Sequence, residues 1–318
     1  MKFLVTGSSG FLGSRFIGKV ASSGILVRSV SRNVEDVQTK LDEFSVATIN
    51  GNTNWNGAFD GVDCVVHCAA RVHQMREPVA NAIQAYLDIN TDGTLNLARQ
   101  AALAGVKRFV FISSVKVNGE FSQQNEKFTP CLSHRPNDPY GLSKYEAEIG
   151  LKVLAEELGI EVVIIRPPLV YGPGVKANFL SMIKLLDKGV PLPLGAIDNQ
   201  RSFVYIDNLV DLMLTCCIHP KAGGETFLVS DDEDVSTTKL LNSVARALKS
   251  KARLLSVPKS IICFLAKLTG KPQFSQRICD NLQVDITKTK SLLNWSPPFA
   301  FEEGIRKTVE AYVQLKNN

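Results

Sequence analysis

The sequence predicts an α/β fold of the Rossmann type, a doubly wound parallel sheet followed by a smaller C-terminal α+β lobe, and three features predict it. The apolar run Lys2-Phe-Leu-Val-Thr6 enters the glycine-rich turn Gly7-Ser-Ser-Gly10-Phe-Leu-Gly13, and a helical pattern over 11–23 follows. Strand-like runs over 25–31, 62–68, 108–113 and 161–166 alternate with helical stretches expected over 82–104 and 143–158, the rhythm of a parallel sheet covered on both faces. After Arg166 the rhythm changes to turns rich in proline and glycine (Pro167-Pro168, Gly172-Pro173-Gly174, Pro191-Leu-Pro193-Leu-Gly195) between helical patches. These features place a dinucleotide-binding domain over 1–170 and a second lobe over 171–318. The stretch 202–230, with strand-like runs at 202–206 and 226–229, is a candidate to rejoin the first sheet.

Composition bounds the function. The 318 residues are 45% hydrophobic and 21% charged, ordinary for a globular enzyme. Seven cysteines form no CxxC pair and leave an odd one over, which argues against a secreted disulfide framework and a zinc site. A reducing, cytoplasmic setting is expected. His67, His73, His134 and His219 share no metal spacing, so no metal is expected. Glycines interrupt the N-terminal apolar run too early for a signal peptide, and the mature chain is expected to begin at Met1. The longest late apolar stretch, Ser260-Ile-Ile-Cys-Phe-Leu-Ala-Lys-Leu, is broken by charge well short of the ~20 residues a membrane span needs. It reads as a buried or interfacial helix, with no membrane partner expected. The net charge of +5 is modest and reads as scattered, which speaks against a nucleic-acid partner and leaves room for a local anion site.

The glycine turn is the first candidate site. One glycine permits the tight turn, one lets backbone amides approach a pyrophosphate, and one lets helix and strand pack closely, with the helix N-terminus facing the phosphate charge. A carboxylate at the end of the second strand would hydrogen-bond a ribose 2′-OH and repel a 2′-phosphate. Here the chain reads Val30-Ser31-Arg32-Asn33. A guanidinium there can grip a phosphate, so NADP is the expected cofactor, with NAD the alternative if Arg32 is a solvated loop residue.

The GxxGxxG spacing resembles that of the extended short-chain dehydrogenase/reductase family, also called the NAD-dependent epimerase/dehydratase family. Similar family motifs follow in order: Val65-Val-His-Cys-Ala-Ala70, Asn90-Thr-Asp-Gly-Thr-Leu-Asn-Leu97, Phe111-Ile-Ser-Ser114, Tyr140-Gly-Leu-Ser-Lys144 and Arg166-Pro-Pro-Leu-Val-Tyr-Gly-Pro173. Gly51-Asn52 departs from the family's Gly-Asp near the adenine. The resemblance implies cofactor contacts at Gly7, Gly10, Phe11, Leu12, Gly13, Arg32, Ala69, Ala70, Asn90, Tyr140, Lys144 and Pro167. It implies Tyr140 as acid/base, Lys144 as the residue that orients the ribose and lowers the tyrosine pKa, and Ser114 as the hydroxyl that binds the reacting substrate oxygen, with Ser113 the competing assignment. The chemistry fits the residue types: a phenol of pKa about 10 serves near neutrality only if a cation stabilises its anion, and positions i and i+4 of a helix face the same way.

The sequence reads Lys116-Val-Asn118-Gly119 where many relatives carry threonine and VYG, which puts a cation and an amide near the expected sugar pocket. Lys116 either contacts a sugar substituent or pairs with a neighbouring carboxylate. In the second lobe the resemblance implies that Asn178 and Arg201 hold a diphosphate, that Leu194 lines a uracil base, that Asp207 N-caps a helix and that Trp295 is buried packing. The Asp-Glu pair of 4,6-dehydratases is missing after the hydroxyl, which demotes dehydration. The chain looks most like the UDP-N-acetylquinovosamine 4-oxidoreductase group, implying reduction at C4 of a UDP-4-keto-6-deoxy-N-acetylhexosamine for surface polysaccharide. A UDP-glucose/UDP-N-acetylglucosamine 4-epimerase is the rival, and a catalytically silent dinucleotide-sensing scaffold is the alternative from another class. The family also implies a homodimer.

Overall fold

A computed structural model of the chain describes residues 1–32, 42–72, 79–270 and 272–317. Its main sheet has seven strands in the order β3-β2-β1-β4-β5-β6-β9, all parallel. They are β1 (Lys2–Thr6), β2 (Leu26–Ser31), β3 (Asp42–Ser45), β4 (Cys64–His67), β5 (Arg108–Ile112), β6 (Glu161–Arg166) and β9 (Thr226–Leu228). Strands β1, β4 and β5 are apolar almost throughout and buried, as a sheet covered on both faces demands. The order reverses beside β1, and the glycine turn lies at the C-terminal end of that strand, where open α/β sheets form their ligand crevice.

A second sheet runs β10-β8-β7, built from β7 (Leu169–Tyr171), β8 (Arg201–Tyr205) and β10 (Asp234–Val235). The two strand-like runs within 202–230 therefore part company. The 226–229 run pairs with β6 in the main sheet, whereas the 202–206 run lies in the small one.

The helices are α1 (Phe11–Ser22), α2 (Val79–Tyr86), α3 (Gly93–Leu103), α4 (Pro139–Leu158), α5 (Ala177–Asp187), α6 (Ile206–Ile218), α7 (Thr237–Leu248), α8 (Lys259–Leu268), α9 (Pro272–Cys279), α10 (Thr287–Leu293) and α11 (Phe301–Asn317). A π-helical stretch over Leu87–Asp92 joins α2 to α3, a distortion that often marks a functional position. Helix α4 starts four residues before the sequence expectation, at a clear signal. Asp138 is its N-cap and accepts the Gly141 N–H at 3.1 Å, Pro139 fills the first turn, and Gly159 closes the helix with φ +71°. That early start carries Tyr140 onto the first turn.

Asp207 does not cap α6. The N-cap is Tyr205, and Asp207 sits inside the first turn, where its carboxylate receives Arg15 Nε at 2.5 Å and Nη2 at 2.8 Å. The aspartate thus joins α6 to α1, the helix that follows the glycine turn. Trp295 is buried and donates its indole N–H to Asp211 at 2.9 Å.

Candidate active site

The glycine turn has the shape a dinucleotide requires. Gly7 has φ +69°, and a Cβ there would lie 2.8 Å from the Ala69 nitrogen. A Cβ on Gly13 would lie 2.2 Å from the Gly7 carbonyl oxygen, so only glycine lets the helix start this close to the strand. The Gly10 N-cap has no side chain to bond the first-turn amides, and no acidic residue occupies that turn. Those amides therefore point at a cradle suited to an anion, and the residues fit a pyrophosphate. The Ser8 hydroxyl donates to the Val30 carbonyl at 2.7 Å, fixing the turn against the end of β2. Half-buried Phe11 and Leu12 pack against the main core, and a Cβ on Gly174 of the second lobe would lie 4.0 Å from the Phe11 ring.

At the end of β2, Arg32 is exposed; Asn33, the next residue of that motif, lies outside the described residues. His73, Gln74 and Met75, part of the stretch that follows Ala70, lie outside them as well.

Asn90, on the π-helical stretch, is buried, and both of its amide hydrogens go to protein acceptors. Its Nδ2 donates to the Arg71 carbonyl at 3.1 Å and to the Ser143 hydroxyl at 3.0 Å, while its Oδ1 accepts the Arg71 N–H at 2.8 Å. Ser143 in turn donates to the Tyr140 carbonyl at 2.8 Å. Asn90 thereby clamps the loop after β4, which carries Ala69 and Ala70, to the first turn of α4. Pro167 is buried at the end of β6, and its carbonyl accepts the Val115 N–H at 3.0 Å.

Ser114 and Tyr140 lie near each other. Burial pushes the Tyr140 phenol up to about 12, with the Asp138 charge adding to the rise and the nearby Ser114 hydroxyl opposing it. Tyr86 packs edge-on against the Tyr140 ring at 6.2 Å. One turn further along α4, Lys144 is 1% exposed; its ammonium donates to the Ile112 carbonyl at 2.9 Å and lies 4.4 Å from the Phe111 ring centre. Ser113 is engaged elsewhere, donating to Glu148 at 2.5 Å. The two adjacent serines are thus divided between the candidate pocket and the core.

Burial pulls the Lys144 pKa down to about 8, the nearby Cys68 and Glu148 opposing. An unfolded chain, with its lysine near 10.5, binds more protons between those values, so this group's contribution to stability rises as pH climbs from about 8 towards 10.5. The buried ammonium costs about 3 kcal/mol at neutral pH. Lys144→Met is expected to melt several degrees higher than wild type at pH 7, with the gap closing towards pH 10, and to lose most turnover. Thermal melts at the two pH values check this, and a variant that melts lower at pH 7 would contradict it.

Two expected substrate contacts turn out to have other partners. Asn118 is 5% exposed; its Nδ2 donates to the Thr129 carbonyl at 2.7 Å and its Oδ1 accepts Arg166 Nη1 at 3.2 Å. It is a core bracket, because the Arg166 guanidinium, fully buried, requires acceptors on every side. Lys116 pairs with Glu120 and Asp138, each at 3.2 Å, the carboxylate partnership that was one of its two expected roles. Through Asp138 it steadies the N-cap of the Tyr140 helix.

Behind the pocket lies a buried group that sequence reasoning missed. Arg166 bonds Glu148 through Nε at 2.9 Å and Nη2 at 2.5 Å, and Nη1 donates to the Pro130 carbonyl at 3.0 Å. Glu148 is 1% exposed and follows Lys144 by one helical turn. The pair locks α4 to the ends of β5 and β6.

Of the remaining expected substrate contacts, Asn178 is exposed in the first turn of α5, and Leu194 is half-buried against the core, with its carbonyl accepting the Thr238 hydroxyl at 2.7 Å. Arg201 donates to the Asp280 carbonyl at 2.9 Å, and burial lowers its pKa. No hydrogen bond among the described residues links Asn178, Leu194 or Arg201 to Ser114, Tyr140 or Lys144. Among those residues there is also no cluster of His, Cys, Asp and Glu suited to a metal. His67 is buried between the Thr6 and Thr94 hydroxyls at 2.7 and 2.9 Å, and burial drives its pKa down to about 3.

The profile of the NAD-dependent epimerase/dehydratase family matches residues 3–230. The chain belongs to that family. Over 316 residues it is 46% identical to a UDP-glucose 4-epimerase of Vibrio cholerae, covering 99% of this chain and 96% of that protein. It is 26% identical to the N-acetyl-alpha-D-glucosaminyl-diphospho-ditrans,octacis-undecaprenol 4-epimerase of Escherichia coli O157:H7, over 96% of this chain and 94% of the relative. Among solved structures, the Thermotoga maritima UDP-glucose 4-epimerase with UDP-glucose superposes with a TM-score of 0.76 at 24% identity, covering 99% and 100% of the two chains. The Bacillus cereus UDP-glucuronic acid 4-epimerase with NAD gives 0.79 at 21% identity, covering 100% and 98%. This family member thus has the fold of those epimerases over its whole length, and the family identity makes it a nicotinamide-dependent enzyme.

Proposed function

We propose that the chain is a UDP-sugar 4-epimerase that works with NAD, with Ser114, Tyr140 and Lys144 as its catalytic residues. The observation that carries this reading is the nearness of the Ser114 hydroxyl to the Tyr140 phenol, with the buried Lys144 ammonium one helical turn on, held by the Ile112 carbonyl at the C-terminal end of β5. The 46% identity to a UDP-glucose 4-epimerase over nearly the whole chain supports the same class.

In this reading Ser114 holds the C4 oxygen of the sugar. Tyr140 takes the hydroxyl proton as the C4–H electron pair departs and returns it after the keto sugar has turned. Lys144, held by the Ile112 carbonyl, supplies the positive charge that lets the phenol ionise, offsetting the burial that raises its pKa. A bound NAD supplies reversible storage of the hydride. Gly7, Gly10 and Gly13 with Phe11 and Leu12 would cradle it, Ala69, Ala70 and Pro167 would wall it, and Asn90 would keep that wall in place. Asn178, Leu194 and Arg201 would take the UDP portion.

A second reading keeps the same residues and follows from one observation: β2 ends in Ser31-Arg32 with no carboxylate. An arginine there suits the 2′-phosphate of NADP, and a dissociable NADPH would suit net reduction of a UDP-4-keto-6-deoxy-N-acetylhexosamine at C4. The deciding experiment offers the purified protein UDP-glucose or UDP-N-acetylglucosamine, and separately the 4-keto-6-deoxy sugar with NADPH or NADH. Interconversion of the C4 epimers with no net nicotinamide consumption is expected. Stoichiometric oxidation of NADPH with no epimerisation would replace the first reading with the second.

A further inference from the structure

Helix α8 was expected to be buried or interfacial, and none of its residues is buried. Ile261, Phe264, Leu265 and Leu268 are 48%, 62%, 53% and 68% exposed, and their spacing of i, i+3, i+4 and i+7 puts them on one face. Leu255, just before the helix, is 51% exposed. An aqueous surface does not ordinarily carry such a stripe without something to cover it.

The charge around the stripe is predominantly positive, and Asp280 is the first acid after it. Between Lys249 and Cys279 the sequence has seven Lys and Arg and no Asp or Glu, so this segment carries +7. The chain as a whole carries +5, which leaves −2 for everything else. The positive charge that reads as scattered is therefore concentrated around α8. Lys249, Lys251, Arg253, Lys267 and Arg277 are exposed, and among the described residues none of the five has a carboxylate partner. Among the described residues of this group, Lys259 is the one with a carboxylate partner, Asp280 at 3.1 Å.

We propose that α8 and its basic flanks form a docking surface for an anionic phospholipid membrane. An apolar stripe bordered by lysine and arginine matches the interfacial boundary of such a bilayer, with the stripe among the acyl chains and the cations at the headgroups. A ten-residue helix is about 15 Å long, so it lies on the surface and does not cross it. No described helix is long and apolar enough to span a membrane.

The surface is fastened to the proposed nucleotide-sugar lobe. Leu255 and Leu192 are joined through a backbone hydrogen bond at 2.7 Å, two residues from Leu194, and Asp280 receives Arg201. Docking would therefore hold that lobe at the headgroup layer.

Flotation of the full-length protein with vesicles of phosphatidylcholine alone, and with phosphatidylglycerol added, tests the proposal. Binding is expected only to the anionic vesicles, weakening as salt is raised. Phe264→Glu/Leu268→Glu is expected to weaken it by at least about tenfold with solution turnover of the nucleotide sugar unchanged. Three results would each overturn the proposal: no flotation with anionic vesicles at low salt, equal flotation of the variant, or a variant that fails to float but has changed from an oligomer to a smaller species. The last would make the stripe a contact between copies of the chain.

Discussion

Tyr140→Phe is expected to lower kcat for the sugar reaction by a factor of about 10² to 10⁴, with little change in KM or thermal stability. The substitution removes one oxygen. It keeps the ring that packs on Tyr86, and it leaves Asp138, Gly141 and Ser143 to hold the first turn of α4. Steady-state kinetics beside a melting curve separate the chemical loss from a folding defect. A variant that turned over at the wild-type rate would remove Tyr140 from the chemistry.

Glu148→Gln is expected to cost about 3–5 kcal/mol of stability, because it leaves the guanidinium of Arg166 buried without its counter-charge. The melting temperature should drop on the order of 10 °C. The loss should extend to activity even where the protein stays folded, since the pair joins the Lys144 helix to the strand ends that bear Ser113 and Pro167. Replacing both partners, as in Glu148→Leu/Arg166→Met, should recover part of the stability by removing the stranded charge. A single variant that melted with the wild type would show that water or another carboxylate reaches Arg166.

Most of the frame and part of the candidate site's arrangement were legible in the residues. Strands β1, β5 and β6 fall within a residue of their apolar runs because central parallel strands must be apolar on both faces. Strand β3, Asp-Glu-Phe-Ser, was invisible because an edge strand needs neither alternation nor a run, and its acids suit an unpaired edge. Tyr140 and Lys144 were legible through their spacing. Asn118 was expected at the sugar pocket and bonds Thr129 and Arg166 in the structure, a difference the sequence hides because a polar residue near a pocket looks the same whether it faces a ligand or a buried arginine. Glu148 could have been found: an arginine that ends the apolar run Val162-Val-Ile-Ile165 has to find an acceptor, and Glu148 lies on the same helical face as Lys144, one turn on.

The return of β9 to the main sheet limits how enzymes of this architecture exchange parts. A recombination point after Arg166 separates the six strands β1–β6 from the C-terminal segment. The incoming segment, however, brings the seventh strand with it, and Thr226, Phe227 and Leu228 must match Ile164, Ile165 and Arg166 in register. A chimera whose donor strand differs there would leave β6 with an open edge beside the buried arginine. Transfer of the C-terminal half as one piece therefore requires a matching β9, whereas substitutions in the loops around α5 and β8 leave the main sheet intact.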